Sequence, residues 1–188
     1  MAGRARATWA DGEHGRRRKG DRGRHQVRPG ADAPRANLFL DEMEVGDRFE
    51  SKGMTLGEAD IVGFAREWDP QPFHVDAEAA RRSHFGGLIA SGFQTMVVAF
   101  RLLYQTGFLV DANLGGPGID ELRWIKPVRP GDTLRASAVV KETVPSRSKP
   151  DRGTLRLAVE ACNQSGEVVM TATLVVVALR RRGAQPAY

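Results

Sequence analysis

The feature that most constrains this fold is one apolar helix candidate followed only by strand candidates. Residues 91–104 are apolar nearly all round, which is typical of a helix that other structure encloses. After this helix, β-rich runs separated by Pro, Gly and charged turns occupy residues 119–126, 133–143, 153–162 and 168–179. The order predicts an α+β domain in which a long central helix packs against an antiparallel sheet.

Shorter elements are predicted upstream of this helix. Residues 43–49 are interpreted as a first strand, which brings the sheet to about five strands. Thr55 begins a capping-box pattern, so we expect a helix from there to Trp68. That helix must end at Trp68, because Pro70 disfavours helical backbone at Asp69.

The basic charge of the chain is concentrated in residues 1–36. They contain ten Lys and Arg against four Asp and Glu, whereas the other 152 residues contain 18 and 19. With few large apolar side chains, residues 1–36 are predicted to be a disordered tail before a domain at 37–180 and a C-terminal tail at 181–188. The run Arg16–Lys19 leaves contact with nucleic acid or an anionic membrane surface open, but no aromatic or periodic pattern accompanies these charges, which favours a solvated tail.

Composition also bears on the compartment and on partners. The sequence has no apolar run of membrane-spanning length and no apolar core of a secretory signal, so we expect no membrane partner. Its single cysteine, Cys162, has no partner for an internal disulfide and belongs to no metal-ligand cluster. We therefore predict a cytoplasmic protein without a metal site.

The residues best suited to chemistry lie at 68–76, where the sequence reads WDPQPFHVD. Pro70 and Pro72 stiffen the backbone around Gln71, between a carboxylate at Asp69 and an imidazole at His74. General acid/base catalysis needs two such groups held on one small target, often a water molecule. Two structural alternatives remain open, since an aspartate can end a helix and a histidine can form a purely structural hydrogen bond.

A second candidate segment, 85–93, leads into the apolar helix. Small residues, including Ser91 and Gly92, stand where the first backbone N–H groups of a helix are unpaired. Such a junction stabilises a developing oxyanion, and Gly92 would let a substrate carbonyl approach closely. The alternative is that these glycines only turn the chain. Ser91, Gly92 and Gln71 are the predicted oxyanion and substrate-binding residues.

These segments resemble the MaoC-like acyl dehydratases, which include the (R)-specific enoyl-CoA hydratases. The family motif has Asp, a variable residue, Asn-Pro, another variable residue, His and a second Asp, and residues 69–76 read DPQPFHVD. Gln71 replaces the usual Asn. Residues 85–92 and 124–132 are similar to further family segments, and the resemblance covers about residues 38–180.

The resemblance implies a hot-dog fold, a long helix wrapped by an antiparallel sheet, with protomers that pair. It implies hydration of a 2-enoyl thioester, or the reverse dehydration, with Asp69 and His74 activating a water and the Gly92 N–H polarising the carbonyl. The substrate would be an acyl-CoA or acyl-carrier-protein thioester, with no other cofactor, and the partner a second copy or a related subunit. Phe100 stands where some members have serine, which suggests a different acyl pocket.

Three other functions remain open at this stage. A thioesterase can use the same fold, because a fold does not fix a function. In a non-catalytic subunit of a paired hydratase, the motif would be present but would take no part in catalysis. A nucleic-acid-associated protein would depend on the tail alone. The Asp69 and His74 pair favours the hydratase.

Overall fold

The computed structural model describes residues 37–181, so the predicted tail at 1–36 and residues 182–188 lie outside the described part. The described helices are α1 (Glu58–Trp68), α2 (Pro72–Val75), α3 (Ala77–Arg82) and α4 (Gly92–Tyr104). The strands are β1 (Arg48–Glu50), β2 (Met54–Thr55), β3 (Gly118–Trp124), β4 (Thr133–Pro145), β5 (Arg152–Cys162) and β6 (Val168–Leu179). Across residues 37–181, no helix is long and apolar enough to cross a membrane.

The strands form one antiparallel sheet in the order β1-β4-β5-β6-β3, and β2 adds a short pairing to β4. The prediction of an α+β fold with about five antiparallel strands is confirmed, and β2 is the strand that it missed. The turn 164–166 joins β5 to β6 as expected, with Gly166 at φ +76°, a conformation that glycine adopts without strain.

The core lies between α4 and the sheet. Alternate residues of β4 and β5 point toward α4, and each apolar one is at most 3% exposed, as in Leu134, Val140 and Leu157. The buried face of α4 contributes Val98 and Leu102. A long helix held against an antiparallel sheet in this way is the arrangement that a hot-dog fold requires.

The opposite face of α4 corrects the expectation that this helix is enclosed on all sides. Four apolar residues are about half exposed on it, namely Phe93, Val97, Phe100 and Tyr104. Their spacing of three to four residues places them along one stripe of the helix. Within residues 37–181 the strands form one sheet, which covers one side of α4 and leaves the apolar stripe open.

Two local predictions were wrong for physical reasons. Thr55 does not cap α1, because it pairs with Thr133 in the sheet, with their hydroxyls 2.7 Å apart. The helix begins after Gly57 instead, whose N–H donates to the Asp60 carboxylate over 2.8 Å. The stiff segment after Pro70 is also not an open loop, because residues 72–75 form the helical turn α2.

Candidate active site

Asp69 stands where α1 ends. Its N–H still donates to the Ala65 carbonyl over 2.9 Å, but its own backbone, at φ −156° and ψ 69°, has left the helix. Pro70 enforces this change, since the residue before a proline is driven out of helical geometry. The carboxylate therefore projects from a fixed helix end, with 14% of its side chain exposed.

Three groups converge on the Asp69 carboxylate. Ser91 Oγ donates to Oδ2 over 2.6 Å, and Gln71 Nε2 donates to Oδ1 over 2.8 Å. His74 Nε2 lies 3.4 Å from Oδ2. Burial raises the pKa of Asp69, but the hydrogen bonds from Ser91 and Gln71 and the charge of the His74 ring outweigh burial and lower it below its usual value.

His74 belongs to α2 and is only 4% exposed. Its Nδ1 lies 2.8 Å from the carbonyl oxygen of Ile89, and the edge of its ring contacts Phe73, with the ring centroids 4.6 Å apart. A carbonyl oxygen can only accept, so Nδ1 carries a hydrogen in either charge state of the ring. In a neutral ring Nε2 is therefore the acceptor nitrogen, and it faces Asp69.

The segment 89–92 brings the second half of the site to this pair. Ser91 caps α4, because its Oγ accepts from the Phe93 N–H over 3.1 Å. Gly92 is the first residue of the helix, and within residues 37–181 no acceptor takes its N–H. An unpaired amide at the positive end of a helix is suited to stabilise an oxyanion.

A supporting segment, residues 124–129, was not predicted to belong to the site. Trp124 Nε1 donates to the Gly92 carbonyl over 2.8 Å, and the Ala90 N–H donates to the Val128 carbonyl over 2.8 Å. Arg129 Nη2 donates to the Phe85 carbonyl over 2.7 Å. The family-like pattern at 124–132 was visible in the sequence, but it gave no sign of which backbone groups it holds.

The structure brings all five predicted site residues together. Asp69 and His74 face each other, and Gln71 and Ser91 both donate to the Asp69 carboxylate rather than standing apart from it. The close approach expected at Gly92 is made by the Trp124 indole, because a Cβ built on Gly92 would lie 2.6 Å from Trp124 Nε1. Contact of Gln71, Ser91 and Gly92 with a substrate stays a prediction.

An apolar cavity of about 210 Å³ lies where the half-exposed stripe of α4 meets β3, β5 and β6. Its wall is formed by Met96, Val97, Ala99, Phe100, Leu103, Ile119, Val159, Met170, Ala172 and Leu174. Met96 is one helical turn, about 6 Å, beyond Gly92 along the axis of α4. The cavity is therefore suited to the apolar part of a ligand whose polar end is held at the start of α4.

The described residues offer no evident metal centre. No group of three or more His, Cys, Asp and Glu side chains within residues 37–181 is arranged to hold a metal ion. Cys162 is partly exposed on β5, and burial together with the charge of Glu160 raises the pKa of its thiol.

Comparison with known families gives a match over most of the domain. The model of the MaoC like domain matches residues 42–162. The uncharacterized protein YdeM of Bacillus subtilis is 36% identical over 143 residues, which cover 76% of this chain and 100% of YdeM. The 3-hydroxybutyryl-CoA dehydratase of Methylorubrum extorquens is 32% identical over 158 residues, covering 79% of this chain and 89% of that protein.

A solved structure gives the same picture. The crystal structure of the MaoC-like dehydratase from Rhodospirillum rubrum superposes with a TM-score of 0.73 and 46% sequence identity. The superposition covers 77% of this chain and 99% of the R. rubrum chain. The relation thus extends over the whole of that protein, and not over a shared fragment.

Proposed function

The chain belongs to the family of MaoC-like domains, and from that premise we propose that it hydrates a 2-enoyl thioester or dehydrates the corresponding 3-hydroxyacyl thioester. The observation that carries this proposal is the pair formed by Asp69 Oδ2 and His74 Nε2, 3.4 Å apart. The family includes hydratases and dehydratases, which makes the chain a member of a lyase family. The thioester carrier would be coenzyme A or an acyl-carrier protein.

The pair has the chemistry that the reaction needs. With a hydrogen fixed on His74 Nδ1, a neutral ring presents a lone pair at Nε2 toward an ionised Asp69. Two acceptors this close are stabilised by a shared proton, either on the ring or on a water that donates to both. A water molecule that donated to both groups would have a proton acceptor beside it, which is what a nucleophilic water needs.

The reaction balances with groups of the chain alone. The water hydroxyl adds to C3 of the enoyl group, and the proton that the water gives up passes through the pair of Asp69 and His74 to C2. The negative charge that develops meanwhile on the thioester oxygen needs a hydrogen-bond donor. The Gly92 N–H supplies that donor at the positive end of α4. Water addition changes no oxidation level of the reactant pair as a whole, so the reaction needs no redox cofactor. We propose that the Gly92 N–H, rather than a metal ion, polarises the thioester oxygen.

The acyl chain fits the apolar cavity, which begins about one helical turn from Gly92. Its volume of about 210 Å³ lies below the range of about 300–1,000 Å³ common for small-molecule pockets. The half-exposed Phe100 is one of the bulky side chains that limit this volume. We therefore propose a short acyl chain, with the four-carbon crotonyl group as the first substrate to test.

The half-exposed apolar stripe of α4, formed by Phe93, Val97, Phe100 and Tyr104, supports pairing with a second copy. Trp124 continues this surface, because its ring packs edge-on against Phe93 with the centroids 5.7 Å apart. A contiguous apolar surface of this kind marks an interaction site. We propose a homodimer, and a related subunit of the same fold is the alternative partner.

The experiment is a hydration assay with crotonyl-CoA, following the loss of the conjugated-enoyl absorbance. Asp69→Asn and His74→Gln each remove one member of the pair, so each should lower kcat by about 10²–10⁴-fold. His84→Gln and Asp120→Asn are matched controls, because His84 stacks on Phe85 and Asp120 pairs with Arg156 away from the pair. Both controls should keep the activity of the wild type.

The outcomes separate the alternatives. Release of free CoA from saturated acyl-CoA would identify a thioesterase instead. Activity that needs a second, related chain would identify a subunit of a paired enzyme. A folded wild-type protein that hydrates no 2-enoyl thioester of any length, alone or paired, would overturn the proposal.

A further inference from the structure

Ser91 connects the two halves of the candidate site. It is fully buried, with 0% exposed, and its Oγ lies 2.6 Å from Asp69 Oδ2 and 3.1 Å from the N–H of Phe93. We infer that Ser91 is a positioning residue, whose hydroxyl fixes the Asp69 carboxylate against the first turn of α4 with Oδ2 toward His74. This inference rests on the proposed function for its catalytic consequence.

The direction of the hydrogen bond follows from the partners. The Phe93 N–H is a donor, so Ser91 Oγ accepts from it and has its single hydrogen left for Asp69. The acceptor is a carboxylate, which makes this bond one of the strong, charge-assisted kind. Ser91 therefore donates to the Asp69 carboxylate and, at the same time, caps α4.

Two donors on two different oxygens fix the rotation of the Asp69 carboxylate. Rotation about the last bond of an aspartate side chain is broad, so a single contact would leave the carboxylate free to turn. Gln71 holds Oδ1 from the same loop, and its side chain is exposed. Ser91 holds Oδ2, the oxygen 3.4 Å from His74 Nε2, from a different element.

The location of Ser91 also ties the carboxylate to the oxyanion donor. Ser91 is adjacent in sequence to Gly92, whose N–H stands at the start of the same helix. A displacement of the first turn of α4 therefore moves the Asp69 contact and the Gly92 N–H together. Because Ser91 is buried and its hydrogen is already donated, its loss should lower kcat and leave KM nearly unchanged.

The decisive variant is Ser91→Ala, compared with Thr95→Val as the matched control. Thr95 is 3% exposed, lies in the same helix and donates its hydroxyl to the Ser91 carbonyl over 3.2 Å without touching Asp69. Loss of a hydrogen bond to a charged group corresponds to a roughly tenfold to hundredfold decrease in kcat for Ser91→Ala. Thr95→Val should keep kcat within about twofold, although it also loses a buried hydroxyl.

A second measurement reads Asp69 directly and needs no substrate. The ¹³C resonance of the Asp69 carboxyl, assigned by its absence in Asp69→Asn, is followed as a function of pH in wild type, Ser91→Ala and Thr95→Val. Removing the Ser91 donor destabilises the ionised form, so the pKa of Asp69 should rise in Ser91→Ala. Ser91→Thr keeps a hydroxyl at this position, so the pKa of Asp69 in this variant should be closer to that of the wild type than in Ser91→Ala.

The two measurements distinguish failure of this inference from failure of the proposed function. If Ser91→Ala is folded, keeps the kcat of Thr95→Val and titrates at Asp69 like the wild type, Ser91 positions nothing and the inference is overturned. If the wild type has no hydratase activity, the proposed function fails, and the titration still decides whether Ser91 holds Asp69. A lower kcat with an unmoved titration would overturn the inference as well.

Discussion

A single added methyl group at Gly92 tests how the start of α4 is held. A Cβ built on Gly92 would lie 2.6 Å from Trp124 Nε1 and 2.8 Å from Trp124 Cδ2, well inside van der Waals contact. The Trp124 backbone cannot retreat easily, because Trp124 pairs with Met170 in the sheet and Ile125 N–H donates to the Val169 carbonyl over 2.8 Å. The indole must therefore rotate away and lose its bond to the Gly92 carbonyl.

The effect of Gly92→Ala on the free energy of unfolding should differ in sign between the wild type and a Trp124→Ala background. In the wild type, overpacking of about 1–3 kcal/mol and a lost hydrogen bond of about 1 kcal/mol exceed the helix-propensity gain of up to about 1 kcal/mol for Gly92→Ala. Gly92→Ala should therefore lower the free energy of unfolding by about 1–3 kcal/mol. In a Trp124→Ala background the obstacle is gone, so the same change should be neutral or stabilising.

The assay is urea unfolding followed by circular dichroism for the wild type, both single variants and the double variant. The four free energies of unfolding give the coupling between the two sites, which should be about 2 kcal/mol or more for groups in direct contact. Gly63→Ala is the matched control, because Gly63 is an exposed helical residue of α1 with no atom within 4 Å of its built Cβ. It should stabilise the protein by up to about 1 kcal/mol.

Equal effects of Gly92→Ala with and without the Trp124 indole would refute this reasoning. Such additivity would mean that the glycine is required for something other than space for Trp124. The activity of Gly92→Ala separates the same two explanations. Alanine keeps the backbone N–H, so a loss of activity cannot be due to loss of that donor. A loss of kcat that Trp124→Ala does not relieve would point to an obstructed substrate rather than a displaced helix turn.

Further predictions concern the carboxylate, the pocket and the sheet. Gln71→Leu removes the 2.8 Å bond to Asp69 Oδ1 and should lower kcat by about tenfold in the crotonyl-CoA assay. Because the pKa of Asp69 is lowered in the folded state, its carboxylate stabilises the protein at neutral pH; the stability advantage of the wild type over Asp69→Asn in urea unfolding should shrink as the pH falls toward that pKa. Phe100→Ala enlarges the apolar cavity and should raise kcat/KM for octenoyl-CoA relative to crotonyl-CoA. Gly153 lies in β5 between two paired strands, and Gly153→Ala places a Cβ 2.5 Å from Leu40 Cδ2. Thermal unfolding should show that the free energy of unfolding falls by about 3 kcal/mol.

The parts of the fold that the sequence predicted are those that depend on local patterns. The β4 and β5 strands followed from β-rich runs bounded by Pro, Gly and charged turns, and α4 followed from a long apolar run that ends near Gly107, which adopts φ +74°. Asp69 and His74 could be paired in advance, because they are five residues apart and Pro70 and Pro72 restrict the backbone between them. Such constraints act within a few residues and are readable without tertiary structure.

The parts that could not be predicted depend on contacts between distant segments. Thr55 has a capping pattern, but its place opposite Thr133 in the sheet, 78 residues away, overrides the local preference. The indole of Trp124 against Gly92 is a contact over 32 residues, and no local signal distinguishes it from an exposed aromatic at a strand end. The open side of α4 was missed because an apolar helix face looks the same whether its own chain or another covers it.

One short stretch of backbone organises both halves of the candidate site. The Ile89 carbonyl fixes the tautomer of His74, Ser91 orients Asp69, and Gly92 offers its N–H, all within four consecutive residues. Residues 124–129 hold this stretch through Trp124 and through the Val128 carbonyl. Acid/base catalysis with an oxyanion donor requires fixed distances between groups that have different roles, and fixing all of them to one stretch keeps those distances constant when the surrounding loops move. The same arrangement makes the site depend on residues that touch no reacting atom, so changes in the 124–129 segment should alter proton transfer and carbonyl polarisation together.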